Sequence, residues 1–345
     1  MWAGLNKLKV ISLFGDVRML SLLAVFLVSF GFTYFIIPWL IPRLLGAGIS
    51  GRDMNKQGKV VVAEMGGFAI VGGFVMGVLM AIALSTFHFS SISMNLAYVL
   101  ACLSTILLTC LIGVIDDLLV IDQKVKALLP VFAALPLVAV KVGFQSMEVP
   151  FFGTVDFGIL YPLLLIPIAI TGASNATNML AGFNGLEAGL GVVMCSTVGV
   201  IGYYFGNFES VVLSVAMAGA LLAFLRYNWH PARILIGDVG TLSIGAVVAS
   251  SVIVGNIEKA GIILILPFFA ELYLKARGGF KAQSWCKVKD GRLVCGGRGE
   301  IFGLGRLVMH VSGGVSESRL VFTLICVEAC FAALALYSYF GLPVV

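Results

Sequence analysis

Asp116, Asp117, Asn178, Asn184 and Asp238 are oxygen donors in a chain with few polar side chains to spare. Carboxylates and amides are the hard ligands that Mg²⁺ takes, an ion that keeps waters or phosphate oxygens in the rest of its shell. The donors lie in three separated stretches. Asp116-Asp117 is followed by Asp122, Lys124 and Lys126. The second stretch, Ser174 to Gly189, carries Asn175, Asn178, Gly182, Asn184, Gly185 and Glu187; the third runs from Arg226 through His230-Pro231 to Gly237-Asp238-Val239-Gly240. An earlier stretch adds Asp53, Asn55, Lys56 and Glu64. Neighbouring lysines and arginines can hold phosphates, and the glycines let backbone N–H groups come close to an anion. Oxygen ligands beside cations point to phosphate chemistry, with Mg²⁺ the expected ion and Mn²⁺ its alternative.

Each piece alone has an ordinary reading. A paired Asp-Asp ends a helix in solvent, Asn- and Gly-rich connections make turns, and basic runs set topology or meet lipid headgroups. His230, beside Pro231, reads as structural. What favours a site is co-location, which depends on the elements that carry these stretches.

Those elements are membrane helices. The 345 residues are 60% apolar and 11% charged, with a mean hydropathy of +1.08. Soluble domains run near 45–50% apolar and about 25% charged. So few charges cannot coat a water-soluble body of 36.6 kDa, which excludes a soluble enzyme, a disulfide scaffold and a disordered chain. The apolar stretches are continuous rather than alternating, so a β-barrel is disfavoured. The expected fold is an all-α polytopic membrane protein forming one integral domain over residues 1–345. Ten spans are predicted near 20–41, 62–84, 94–115, 127–142, 158–173, 186–205, 210–225, 235–255, 259–274 and 319–341. The first apolar run is too long for the core of a cleavable leader. Of the seven cysteines, Cys286 and Cys295 share a polar loop without a nearby histidine, so no zinc site is expected.

Ten spans place alternate connections on opposite faces. The connections near 42–61, 116–126, 174–185, 226–234 and 275–318, with Arg319 at the edge of the last, carry 17 of the 22 Lys and Arg residues. By the positive-inside rule these are the cytosolic loops. All of the oxygen-bearing stretches fall on that face, so phosphate chemistry at the cytosolic membrane surface is expected. A transporter would instead place its carboxylates along a path near the bilayer midplane.

At this point the chain resembles the polyprenyl-phosphate N-acetylhexosamine-1-phosphate transferases, glycosyltransferase family 4. It is most similar to the branch that loads N-acetylglucosamine phosphate onto dolichyl phosphate. The resemblance rests on Asp116-Asp117, the run from Asn175 to Gly189, Gly237-Asp238, the first-connection run Gly51 to Lys56 with Glu64, and Lys126 to Pro130. It implies Mg²⁺ dependence, UDP-GlcNAc and a dolichyl or other polyprenyl phosphate as substrates, a plasma-membrane location, and a homodimer; no nucleic-acid partner is expected. It also implies roles. Asn178 and Asp238 would hold the metal across the donor diphosphate, with Lys126 on its phosphates. Asn184 would read the uracil near the Gly189 backbone, and Asp116 and Asp117 would lie near the reacting phosphates. Glu64, Asn55 and Lys56 would border the substrate. The family's His- and Arg-rich motif after the ninth span is replaced here by the run Lys275 to Lys281, so Arg277 and Lys281 are the candidates to stand in. The missing histidines argue against the muramyl-pentapeptide branch. Another UDP-N-acetylhexosamine or undecaprenyl phosphate is the alternative within the same chemistry.

Overall fold

The computed structural model describes residues 2–89, 92–119, 121–149, 153–280, 287–295 and 300–341, with side chains from residue 17 onward except that of Val149. Long apolar runs, in which only helices satisfy their own backbone groups away from water, become helices throughout. In chain order, α1 (Trp2–Gly46) leads through a ribbon of β1 (Ser50–Arg52) and β2 (Val61–Ala63) to α2 (Gly67–Thr86) and α3 (Leu96–Leu119). The next span is broken into α4 (Gln123–Leu128), α5 (Pro130–Ala133) and α6 (Leu135–Val140). Pro130 and Pro136 lack the N–H that a continuous helix needs. A second ribbon, β3 (Ser146–Val149) with β4 (Gly153–Asp156), precedes a π-helical turn at Tyr161–Leu165 and α7 (Ile166–Met179). Then come α8 (Leu186–Tyr204), α9 (Phe208–Asn228), α10 (Gly237–Gly255) and α11 (Glu258–Arg277). The third ribbon, β5 (Lys287–Lys289) and β6 (Arg292–Val294), leads to α12 (Leu304–Val311) and α13 (Glu317–Phe340).

Eight stretches among the described residues are long and apolar enough to cross a membrane, not ten. The fifth and ninth predicted spans exist as helices but depart from that pattern. The fifth is split by the π turn, and its last turns are polar, with Asn175, Thr177 and Asn178. The ninth, α11, holds Pro267 and the charges Glu258, Lys259, Glu271, Lys275 and Arg277. The three ribbons also qualify the all-α expectation. Each is antiparallel with strands of three or four residues, too short to print an alternating pattern on the sequence.

The hub is α10, in which every residue from Val239 to Gly255 is buried. Its neighbours approach it closely because small residues sit at the crossings, as in tightly packed membrane helices. A Cβ on Gly67 would lie 2.2 Å from the Gly240 nitrogen, one on Gly113 2.6 Å from the Val239 nitrogen, and one on Gly245 2.3 Å from the Ala173 oxygen. Thus α2, α3 and α7 all bear directly on α10, two of them at its first turn. Backbone bonds from Gly66 N to Leu235 O and from Gly67 N to Ile236 O, both 2.8 Å, fix the start of α2 to the segment entering α10.

The connections sort by end. The first meets the ninth through Lys56 and Glu317, and the fifth through Asn55 and Gly182; the third meets the seventh through Lys126 and Asp238. At the other end Phe144 N donates to Asn256 Oδ1 at 2.6 Å, and Lys259 pairs with Glu148 at 2.9 Å. The predicted alternation therefore gathers all the oxygen-bearing stretches at one end of the bundle.

Candidate active site

The site is built on the N-terminus of α10. Backbone N–H groups in a helix's first turn have no partner within the helix, and here Asp117 supplies one from the end of α3. Its Oδ1 accepts from Asp238 N at 3.0 Å and its Oδ2 from Val239 N at 3.2 Å. Gly237 makes this fit possible: its φ is +68°, and a Cβ there would sit 2.6 Å from Asp117 Oδ2. Asp117 therefore sets where Asp238 begins its helix. Glu64, just beyond β2, lies close by; burial, and then the Asp117 charge, push its carboxyl above the ordinary glutamate range.

Lys126 stands at the centre. Its Nζ is 2.5 Å from Asp116 Oδ2 and is also bonded to Asp238 Oδ2. Asn178, near the end of α7, completes the group. With its amide turned to satisfy both ends, the oxygen accepts from Lys126 Nζ at 2.9 Å, and the nitrogen faces Asp238 Oδ1 at 3.0 Å and Thr241 Oγ1 at 3.2 Å. The scaffold holds each member. Asp122 caps α4 by accepting from Lys124 N at 2.9 Å. Asn175 Nδ2 donates to Ala127 O at 2.9 Å, tying α7 to the turn that follows Lys126. Lys275 donates to Met179 O at the foot of α7.

This arrangement tests whether a metal fits. Two carboxylate oxygens and an amide oxygen already converge on one cation, the Lys126 ammonium. Among the described residues no group of three His, Cys, Asp or Glu side chains is arranged to hold a metal ion by itself. A divalent ion held by Asp116, Asp238 and Asn178 would then draw its remaining ligands from water or phosphate, which suits Mg²⁺ rather than zinc.

A second polar cluster lies six residues further along the same loop. Asn184 Nδ2 donates to Asp53 Oδ2 at 2.9 Å and its backbone N to Glu317 Oε1 at 2.8 Å. Asn55 Nδ2 donates to Gly182 O at 2.6 Å, Gly182 N to Glu187 Oε1 at 2.6 Å, and Gly185 N to Asn228 Oδ1 at 2.9 Å. Lys56 Nζ lies 3.2 Å from Asp53 and 3.0 Å from His230 Nδ1, and bonds Glu317. The loop between α7 and α8 is therefore pinned from four other connections or helix ends.

The predicted residues divide accordingly. Asp116, Asp117, Lys126, Asn178 and Asp238 form one group, with Glu64 beside Asp117; Asn55, Lys56 and Asn184 join the second. Gly189 belongs to neither: its amide bonds Gly185 O at 3.0 Å, and a Cβ on it would lie 2.4 Å from Ile325 of α13. Arg277 is bonded to Ile301 O at 3.2 Å, in the connection after α11. Lys281 lies outside the described residues. Sequence reasoning did not place Asp53, Glu187, Asn228 or Glu317 among the site residues. His230, read as structural, contacts both Lys56 and Glu317. An ionisable residue at the very start of the last span was the available signal for Glu317.

Known proteins are similar to this chain in sequence. Residues 99–256 match the model of glycosyl transferase family 4. A Saccharolobus solfataricus protein named as a UDP-N-acetylglucosamine–dolichyl-phosphate N-acetylglucosaminephosphotransferase is 35% identical over 321 residues, 92% of this chain and 97% of that one. A Sulfolobus acidocaldarius protein of the same name is 35% identical over 327 residues, 92% and 96% of the two chains. A phospho-N-acetylmuramoyl-pentapeptide-transferase of Halalkalibacterium halodurans is 30% identical over 332 residues, 92% and 97%. The family match encloses Asp116, Lys126, Asn178 and Asp238, and the likeness extends through nearly the whole length of these relatives: the chain belongs to glycosyl transferase family 4.

Proposed function

We propose that this protein transfers N-acetylglucosamine 1-phosphate from UDP-GlcNAc to a polyprenyl (dolichyl) phosphate in an Mg²⁺-dependent reaction that releases UMP. The product would be the first lipid-linked sugar for N-glycosylation. The observation that carries this reading is the convergence of Asp116, Asp238 and Asn178 on the Lys126 ammonium at the end of the bundle. The names of the two archaeal relatives supply the substrates. The basic connections favour a cytosolic active site, and the archaeal likeness favours the plasma membrane.

In the reaction an oxygen of the lipid phosphate bonds the β-phosphorus of the donor. The bond from that phosphorus to the bridging oxygen breaks, and UMP departs with the electron pair. Such transfers need in-line placement and neutralised charge more than covalent help from the protein. A phosphate monoester has its second pKa near 6, so the acceptor is largely dianionic at neutral pH and needs no strong base. Asp116, Asp238 and Asn178 would hold the ion, which when bound supplies charge stabilisation for the leaving phosphate. Lys126 would swing from its carboxylates to the donor phosphates, while Asp117 keeps Asp238 at the helix end. The apolar flanks of the bundle would hold the lipid tail.

The test incubates purified protein with Mg²⁺, a polyprenyl phosphate and a panel of UDP-sugars, and follows UMP. UDP-GlcNAc should be the preferred donor. Asp238→Ala should lower turnover at least about a hundredfold, the scale for losing one preorganised electrostatic group, with folded protein retained. Wild-type turnover in that variant would remove the assignment of Asp238. Preference for another UDP-N-acetylhexosamine, or for undecaprenyl phosphate, would move the protein to a different branch.

A further inference from the structure

Glu317 opens α13, carries no part of the phosphate cluster, and is 4% exposed. Three groups from three other connections end on its carboxylate. The Asn184 backbone N–H reaches Oε1 at 2.8 Å, while Lys56 Nζ and, at 3.1 Å, His230 Nδ1 reach Oε2. Asp53, also 4% exposed, takes the Asn184 side-chain nitrogen at 2.9 Å, the Asn55 backbone N–H at 3.2 Å and Lys56 at 3.2 Å. Two buried carboxylates thus share one ammonium, and both spend an oxygen on Asn184.

The chemistry of those bonds fixes a direction. An ionised carboxylate only accepts, so Asp53 can face only the nitrogen of the Asn184 amide. Both bonds to Asn184 use its N–H groups, which leaves its amide oxygen as the acceptor presented to a ligand. Turning the amide over would set oxygen against carboxylate oxygen. Lys56 holds the two carboxylates together, and Glu317 keeps the backbone at Asn184 from moving.

We infer that Glu317, acting with Asp53, is a positioning residue for nucleobase selection: it holds Asn184 so that the amide oxygen accepts from the N3–H of a uracil base. This rests on the reading above that the donor is a uridine diphosphate sugar, and on the family resemblance that implies Asn184 at its base. Uracil offers a donor at N3, whereas cytosine offers an acceptor there, so an oxygen held in that direction prefers uridine to cytidine nucleotides. The last helix thereby governs donor choice without touching the reacting phosphates.

The experiment measures binding of UDP and CDP to the purified full chain by calorimetry, and kcat and KM for UDP-GlcNAc. Wild type, Glu317→Gln, Asp53→Asn and the conservative Glu317→Asp are compared. The UDP-over-CDP preference should fall at least tenfold in Glu317→Gln and in Asp53→Asn. The KM should rise by a similar factor while kcat stays within about threefold, and Glu317→Asp should recover part of the preference. A variant that merely loosened the fold would weaken both nucleotides alike and leave their ratio unchanged, which would overturn the inference. Retention of the wild-type ratio and KM in folded Glu317→Gln would also overturn it. Should Glu317→Gln not fold, Asp53→Asn decides by the same ratio. A wild type that binds no uridine nucleotide would instead refute the proposed function, so the two failures are told apart.

Discussion

Replacing Asp117 with alanine separates two accounts of this residue. The resemblance implies that Asp117 lies near the reacting phosphates, whereas the structure spends both its oxygens on the first N–H groups of α10, at 3.0 and 3.2 Å. Losing a capping acceptor costs about 0.5–2 kcal/mol, and a buried N–H left without a partner about 1–3 kcal/mol. The longer of the two bonds is near the limit of good geometry, so about 2 kcal/mol is a reasonable sum. If all of this appears as displacement of Asp238, turnover falls roughly thirtyfold. Asp117→Asn keeps one acceptor oxygen and should lose about half as much free energy. The assays are thermal unfolding in detergent and UMP release, run on both variants and on Asp238→Ala. Stability and turnover should fall together, with Asp117→Asn between wild type and Asp117→Ala. Turnover lost as completely as in Asp238→Ala, with unfolding unchanged, would refute the capping account and place Asp117 on the phosphates.

Gly67→Ala would drive a Cβ to 2.2 Å from the Gly240 backbone; overpacking costs about 1–3 kcal/mol even where side chains can yield, so folded protein should drop sharply on size exclusion. Gly172→Ala, with no neighbouring atom of the described residues within 4 Å of the added Cβ, should match wild type, and equal behaviour of the two variants would contradict the close crossing. Glu328 is wholly buried in α13 and neither carboxyl oxygen has a hydrogen-bond partner among the described residues; Glu328→Met should raise the unfolding temperature with activity kept, and a lower temperature would show that the carboxyl is needed. Burial and Asp117 raise the Glu64 carboxyl, so the folded state keeps that proton to higher pH than the unfolded chain. Its contribution to stability is therefore full below about pH 4 and declines as pH climbs through the folded-state pKa. Between pH 4 and 8 the unfolding temperature of Glu64→Gln relative to wild type should rise with pH; a constant difference would exclude the effect.

Helices were legible because uninterrupted apolar runs leave lipid-spanning chain little alternative. The segments that failed the simple pattern are those that also carry function. The end of α7 gives up apolar character to place Asn178, and α11 carries Lys275 and Glu271, which brace Met179 and the start of α12. Asp116, Lys126, Asn178 and Asp238 could be picked out because polar residues at span ends are costly. Their common focus on one cation could not, since it depends on how α3, α7 and α10 cross. Asp117 shows the limit most clearly: an adjacent pair of identical residues turned out to divide between a cation and a helix end. Glu317 was hidden because the basic loop before it suggested topology, and its partners lie 261 and 133 residues away along the chain. The ribbons left no trace in a composition ruled by longer elements.

The buried surround of α10 also bears on how the protein is made. That helix holds Thr241, Ser243, Ser250 and Ser251 in its interior positions, groups that gain little from contact with acyl chains. Its glycine-lined neighbours α2, α3 and α7 are all translated before it. Before Gly237 is reached, Lys126 has Asp116 but lacks Asp238, the second of its two counterions. The Asp238 carboxylate reaches Lys126 only once that helix is in place, so the phosphate cluster is complete later than the helices that surround it. Loss of that one segment would thus remove the hub of the fold and the carboxylate shared with Lys126 together.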